Sequence, residues 1–402
     1  MRPLHIALLT PEFPTEVATE GGLANYLYRM TRSLVDAGHA VEVFTLSDRP
    51  EESFDFEGAW IHRVERASDP AWLAAWSKLV RGPLSVSATR WHVRGAIALA
   101  QALEWREQIS PFDIVQTSNY GLTGLFVPRL AHRRHLVRCG SSNALTRIAN
   151  GVLRGLDGWY GDRLERRSLV LADRVYAPSH FVARDYTRRF GLDVAVVRPP
   201  LFLDAEPLSP PAMALPPRYL MYFGYIGRIK GTDVLARALR QAWSIAPDLR
   251  MVWAGTDHHG QLPRFRRQWA ERATNVTWFG PLRKAELYAV VRRAIATVAP
   301  TRCDNLPNTV LESLQLGVPV IGSQGASIDE IIEPGVQGAL VPVGDAAALA
   351  RALVAAWHGQ RPFDGRTFAL PAIFDEMQPA TAIRNFLDLA APRVDDPLRR
   401  AA

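Results

Sequence analysis

Cysteine and lysine are the scarce residues of this chain. Of its 402 residues only two are cysteine, Cys139 and Cys303. That is too few for a disulfide framework and lacks the spacing of a zinc site, so a reducing cytoplasm fits. No apolar run reaches the length of a membrane-spanning helix. The opening "MRPLHIALLTPEF" shows neither a long apolar stretch nor a small-residue cleavage site, and no signal peptide is expected. No recognised nucleic-acid-binding motif occurs, which argues against a nucleic-acid partner. What remains, 48% hydrophobic and 22% charged, is the composition of a globular protein. Its length exceeds one ordinary core, so two domains are expected.

The scarcity of lysine sharpens the positions where it does occur. Of 47 basic residues, only Lys78, Lys230 and Lys284 are lysine. Where arginine is the default cation, a lysine supplies a compact point charge instead of a planar fork. The net charge of +7 is uneven. Residues 1–69 are acidic overall, whereas residues 70–190 carry about ten more Arg and Lys than Asp and Glu. Clusters such as "HRRH" (132–135) and "LERRS" (164–168), the latter near Trp159 and Tyr160, fit a face for anionic lipid or a phosphorylated acceptor. They equally fit the solvated surface of an arginine-rich chain.

Short apolar runs alternate with helical periodicity along the whole chain, which predicts an α/β fold with mostly parallel sheets. Strands are expected at 5–9, 40–45, 61–65, 113–118, 135–139 and 174–179, and a helix over 23–36 stopped by Gly38. The same grammar restarts with strands at 219–224, 250–255, 276–280, 296–300, 319–323 and 338–343. Between the halves, "LFLDAEPLSPPAMALPPR" (201–218) carries prolines that neither a helix nor a central strand tolerates. The expected organisation is an N-terminal domain (1–200), a linker (201–218), a C-terminal domain (219–378) and a final helix packing back toward the N-terminal domain with a frayed tail (379–402). Two doubly wound domains would leave a cleft between the C-terminal ends of their strands, where ligands of open α/β sheets bind.

Three segments carry candidate chemistry. In "CDNLPNTVLESLQLGVPVIGS" (303–323) a strand delivers a loop with Asp304, and a helix begins near Pro307–Asn308 with Glu312 one to two turns in. A helix start offers unpaired N–H groups and a positive dipole end to a phosphate. Two carboxylates about 12 Å or more apart could accept sugar hydroxyls on either side of it. In "YFGYIGRIKGTDVL" (222–235) Gly224, Gly227 and Gly231 let backbone approach a ligand, and Arg228 and Lys230 bring positive charge for a diphosphate. No G-x-G-x-x-G or Walker A pattern occurs there, which weakens the dehydrogenase and P-loop readings. In the third segment Glu20, Gly21 and Gly22 precede the first helix and offer backbone amides to an anion. Each segment alone fits an ordinary βα connection as well.

Together, "PEFPT…GGLANYL…GHAVEVFT", "ADRVYAPS" (172–179), "FG…KG…L" and "APTRCDNLPNTVLESLQLGVPVIGS…LVPVGD" resemble the retaining family-four type of glycosyltransferase over essentially the whole chain. The resemblance implies a GT-B fold, two Rossmann-like doubly wound domains facing across a cleft. It implies a nucleotide-diphosphate sugar held by the C-terminal domain and a saccharide or lipid-linked acceptor met by the N-terminal one. It further implies retention of anomeric configuration, with neither metal nor cofactor, in a cytoplasmic enzyme that could touch the inner membrane face.

Carried over by residue, Glu312 would hold the ribose hydroxyls, Asp304 the transferred sugar and Lys230 the phosphates. Asn305 and Leu306 would offer backbone amides, and Gly21 and Gly22 would lie near the phosphates and acceptor. The chain departs from the family pattern at four places. Asp304 stands for the usual glutamate, Tyr225 for a phosphate-binding arginine that Arg228 would replace, and Gly140 and Ser118 for two frequent histidines. A non-catalytic nucleotide-sugar binder, an epimerase or a phosphorylase of the same fold are the alternatives.

Overall fold

The computed structural model describes residues 2–16, 21–69, 71, 86–203, 208–209 and 214–391. Glu20, Lys78, much of the proline-rich stretch and the tail 392–402 lie outside the described residues. The chain divides into two compact units. The first comprises Met1–Ile148, Val152–Phe202 and Asp375–Ala402; the second comprises Ala149–Gly151 and Leu203–Phe374.

In the first unit the elements run β1 (His5–Thr10), α1 (Gly22–Asp36), β2 (Ala40–Leu46), β3 (Ser53–Phe56), β4 (Ala59–Val64), α2 (Ser87–Ile109), β5 (Ile114–Ser118), β6 (Arg134–Arg138), α3 (Asn143–Asn150), α4 (Leu156–Val170), β7 (Arg174–Ala177), α5 (His180–Phe190) and β8 (Ala195–Val196). The strands form one sheet in the order β3-β4-β2-β1-β5-β6-β7-β8. All pairings are parallel except β3 with β4.

That antiparallel hairpin is absent from the sequence reading. It turns through Glu57 (φ 53°) and Gly58 (φ 84°), a left-handed pair that does the work of the Asn-Gly signature without displaying it. Successive residues of β1 point to opposite faces. Ile6 and Leu8 join Tyr26, Leu27 and Met30 of α1 on one side, while Ala7 and Leu9 meet Leu99 and Leu103 of α2 on the other.

The second unit contains β9 (Leu220–Phe223), α6 (Thr232–Ala242), β10 (Met251–Ala254), α7 (Leu262–Trp269), β11 (Val276–Trp278), α8 (Lys284–Val291), β12 (Thr297–Ala299), α9 (Asn308–Gln315), β13 (Val320–Gln324), β14 (Gly338–Pro342) and α10 (Ala346–Trp357). Its sheet order is β11-β10-β9-β12-β13-β14, wholly parallel. Such strands are covered on both faces and read as continuous apolar runs. Leu220, Tyr222, Met251 and Trp253 pack with α6 and α10. Tyr219, Met221, Phe223 and Val252 pack with Val290 and Val291 of α8.

The chain returns to the first unit within α11 (Ile373–Glu376) and ends its described part with α12 (Pro379–Ala390). Ile383, Phe386, Leu387 and Ala390 of α12 are buried in the same cluster as Ile6, Leu8 and Tyr26. Among the described residues no helix is long and apolar enough to cross a membrane.

Candidate active site

In each sheet the strand order reverses direction at one point, and loops leaving the carboxyl ends there diverge to leave a crevice. The second unit reverses between β9 and β12. The loops that follow those two strands are the segments carrying Lys230 and Asp304.

The two loops are laced together by an arginine that sequence reasoning passed over. Arg302 donates to the Arg228 carbonyl oxygen at 2.5 Å and to both oxygens of Asp233, in the first turn of α6, at 2.6 and 2.8 Å. The Arg302 amide and the Thr301 hydroxyl both donate to the Ile229 carbonyl, at 2.8 and 3.0 Å. Arg302 lies two residues before Asp304, but its carboxylate partner is 69 positions away. Only folding reveals the pairing.

Held in this frame, Lys230 Nζ donates to Asp304 Oδ2 at 2.5 Å, with the two side chains 27% and 15% exposed. Burial by itself would lower the Lys230 pKa. The adjacent Asp304 carboxylate outweighs that effect and holds it above the ordinary lysine value. The second oxygen of Asp304 accepts the Asn305 amide at 2.9 Å, and the Asp304 carbonyl accepts the Ser327 hydroxyl at 3.2 Å. The Asn305 amide that the sequence expects to face a ligand is therefore engaged by Asp304 here. Leu306 is buried beside it, and Glu312 is buried in α9. Arg228 is exposed. Tyr225, standing for the family's arginine, places its ring 5.7 Å from Lys230 Nζ and so offers a π face instead of a second cation.

Close approach of these loops depends on Gly231. It adopts φ +68°, and an added Cβ would sit 1.8 Å from the Pro300 carbonyl oxygen. Gly231→Ala is expected to push the two loops apart, at a cost of about 1–3 kcal/mol from backbone strain alone. Thermal unfolding should fall by several degrees, and any nucleotide-induced stabilisation should vanish. A variant that matches the parent in both would contradict this packing.

The first unit reverses between β1 and β5. Gly21 stands at the N-cap of α1 without a side-chain cap, and the Ala24 amide donates to the Glu12 carboxylate. The anion expected at the Gly21–Gly22 start is thus supplied in this structure by the chain itself. Burial raises the Glu12 pKa, and that hydrogen bond only partly offsets the rise. Tyr120, after β5, is half exposed; its ring lies 5.7 Å from that of His92.

The two positions where the family frequently has histidine are tied into loop structure. The Ser118 hydroxyl accepts the Tyr120 amide at 3.1 Å, and the Gly140 amide donates to Asn119 Oδ1 at 2.6 Å. Behind them sits Glu165, fully buried. It accepts from Asn119 Nδ2 (2.9 Å), the Asn143 amide (3.1 Å) and the Tyr186 hydroxyl (2.7 Å). Burial pushes its carboxyl up to about 7 even though all three donors favour the ionised form. The sequence gives no signal for this residue, since an acid within "LERRS" reads as surface.

Among the described residues no group of three or more His, Cys, Asp or Glu is placed to hold a metal ion.

Comparison with known proteins agrees with this fold. Residues 217–358 match the model for glycosyl transferases group 1, and residues 20–204 match that for glycosyltransferase family 4. A D-inositol 3-phosphate glycosyltransferase of Thermobifida fusca is 24% identical over 357 residues, covering 80% of this chain and 77% of its own length. Among solved structures, a sucrose-phosphate synthase of Thermosynechococcus elongatus superposes with a TM-score of 0.67 at 17% identity, covering 96% of this chain and 94% of its own. The Anabaena protein HepE, solved in complex with UDP and glucose, gives 0.67 at 14% identity, covering 96% and 98%. Two mostly parallel Rossmann-like sheets and these matches lead to one assignment: the chain belongs to the family-four, group 1 glycosyltransferases and has their GT-B fold.

Proposed function

We propose that this glycosyltransferase moves a sugar from a nucleotide-diphosphate sugar to a saccharide or lipid-linked acceptor, with retention of anomeric configuration. The observation that carries the reading is the Lys230–Asp304 pair at the reversal point of the second sheet. The bound UDP and glucose of HepE, a protein of the same fold, support it.

Breaking the sugar–phosphate bond develops negative charge on the diphosphate and oxocarbenium character on the sugar. In this reading Lys230 takes the diphosphate, aided by Arg228 and the amides at the start of α9. Asp304, released from Lys230, accepts hydroxyls of the transferred sugar, and Glu312 accepts those of the ribose. The acceptor attacks from the face the leaving group vacates, and a donor phosphate oxygen takes its proton. No side chain is assigned a covalent role, and the charge stabilisation is supplied without a metal.

The test is a thermal-shift screen of nucleotide sugars, because a ligand bound only to the folded state raises stability by RT ln(1 + [L]/Kd). Turnover of the best donor should follow, with the anomeric configuration of the product read by NMR. An inverted product would overturn the retaining mechanism, and the absence of any nucleotide-sugar response would overturn the donor class. Glu312→Gln is expected to weaken donor binding roughly tenfold, the lower end for loss of a hydrogen bond to a charged group. Unchanged affinity by calorimetry would move ribose recognition to another carboxylate.

A further inference from the structure

Glu165 is a buried titratable group that the transfer chemistry does not use, and three elements of the first unit meet on it. Oε1 accepts from Asn119 Nδ2, in the loop after β5, at 2.9 Å and from the Tyr186 hydroxyl of α5 at 2.7 Å. Oε2 accepts the Asn143 amide, at the start of α3, at 3.1 Å. Asn119 is buried as well and carries the bracing further. Its Oδ1 accepts the Gly140 amide at 2.6 Å, and its Nδ2 reaches the Ser141 carbonyl at 3.3 Å. One carboxyl group thus ties the segments that follow β5 and β6 together, at the carboxyl edge of the first sheet.

All three of these partners are donors. That suits a carboxylate, which only accepts, but a protonated carboxyl must also give its own proton to an acceptor. The Asn143 amide nitrogen cannot take it. Asn119 could do so only by turning its oxygen toward Glu165, and the Gly140 amide would then face an NH2 group. The Tyr186 hydroxyl remains; it would reverse from donor to acceptor and leave Asn119 bonded to a neutral carboxyl. A hydrogen bond to an ionised group is roughly twice as strong as a neutral one, so protonation loosens Asn119 and, through it, Gly140. The charged and titratable groups facing this centre are Asp162 of α4, Arg147 of α3, Cys139 after β6, and Tyr186 with Asp185 on α5. Arg147 gives both arms to Asp162 at 2.8 Å. Burial is the dominant influence and brings the carboxyl up to about 7, so both forms are populated near neutral pH.

We propose that Glu165 is a proton-operated clamp on the segments that follow β5 and β6. Ionised, it fastens Asn119, Asn143 and Tyr186 to one point; protonated, it slackens its hold on Asn119 and lets the Gly140 loop move. The clamp regulates the edge of the first unit at which the acceptor would be met. That consequence rests on the proposed reaction, whereas the clamp itself does not.

The experiment is hydrogen exchange by mass spectrometry on the full chain, without substrates, following peptides that span residues 118–123 and 139–146. Rates are corrected for the intrinsic pH dependence of amide exchange. From about pH 6 to about pH 8, protection in both peptides should rise roughly fivefold to tenfold, the gap between a neutral and a charged hydrogen bond. The midpoint should lie near 7, while strand 250–255 of the second unit stays level. Glu165→Gln keeps the shape of the side chain and cannot titrate, so its profile should be flat. Tyr186→Phe keeps the carboxyl and removes a donor that favours the ionised form. Its midpoint should move up by about one pH unit, a tenfold change in proton affinity. A flat parental profile, a Glu165→Gln chain with the parent's pH response, or an unshifted midpoint in Tyr186→Phe would overturn the proposal. Should Glu165→Gln not fold, the parental profile and Tyr186→Phe still decide. Because neither donor nor acceptor is present, failure of the clamp is told apart from failure of the proposed reaction, which the nucleotide-sugar screen reads.

Discussion

Lys230→Ala is expected to leave the chain folded and to cut sugar transfer by about two to three orders of magnitude, the cost of removing one preorganised group that stabilises developing negative charge. Two effects act in the same direction. The diphosphate loses its point charge, and Asp304, now without the ammonium 2.5 Å away, places an uncompensated carboxylate where the phosphates must approach. A double variant separates them. If repulsion matters, adding Asp304→Asn to Lys230→Ala should restore part of the donor affinity while transfer stays low, because the leaving charge still has no cation. Lys230→Arg should not fully rescue, since a planar fork does not reproduce a compact ammonium in a slot shaped by Asp304 and Tyr225. Donor affinity by calorimetry and steady-state transfer are the readouts. A Lys230→Ala enzyme with parental values for both would end the assignment of this lysine.

Glu42→Ala is expected to produce the largest loss of stability in the first unit. Glu42 is 3% exposed in the middle of β2. It accepts from His5 Nε2 at 2.9 Å, His62 Nε2 at 2.8 Å and Arg106 Nε and Nη2 at 2.9 and 2.8 Å. Breaking a buried pair by deleting one partner costs about 3–5 kcal/mol, because the other charge stays behind. Natural domains hold only about 5–15 kcal/mol in all. Urea unfolding should show the deficit, with Glu42→Gln milder because it keeps one acceptor.

The pH dependence follows from the same site. Burial would raise the Glu42 pKa, but the hydrogen bonds from His5, His62 and Arg106 hold it far below the usual carboxylate range. Its stabilisation is therefore complete above that range and is lost only as pH falls well below it. For His5, burial lowers the pKa, yet the Glu42 hydrogen bond leaves it raised. That contribution is present below about 6.5 and fades as pH rises through the folded value. Both trends should disappear in Glu42→Ala. A loss under about 1 kcal/mol would mean that water replaces the carboxylate at no appreciable cost.

The frame of both sheets was legible because it rests on local pattern. Buried parallel strands such as "YLMYFG" and "RMVWAG" are unbroken apolar runs, and α1 shows its amphipathic period and its Gly38 stop. Lys230 stood out in the sequence for a different reason, its rarity among arginines. What escaped are relations across sequence distance. Glu42 reads as one polar residue in a strand until His5, His62 and Arg106 converge on it. Lys230 and Asp304 were both visible, but as holders of separate ligand groups, and their mutual pairing spans 74 positions. Arg302 and Glu165 act by bracing loops, a role with no motif. The β3–β4 hairpin was missed because Glu57-Gly58 makes its turn without the usual residues.

The return of α12 to the first unit sets an order for biosynthesis. Residues 203–374, the bulk of the second unit, all precede Ile383, Phe386 and Leu387 in the chain, so the first unit receives its last layer only after the second has been synthesised. Domains usually mature in the order they emerge; here the first unit waits, with the apolar side of β1 and α1 uncovered, until α12 has been made. A chain lacking α12 would leave that side bare and the first unit a natural client for chaperones.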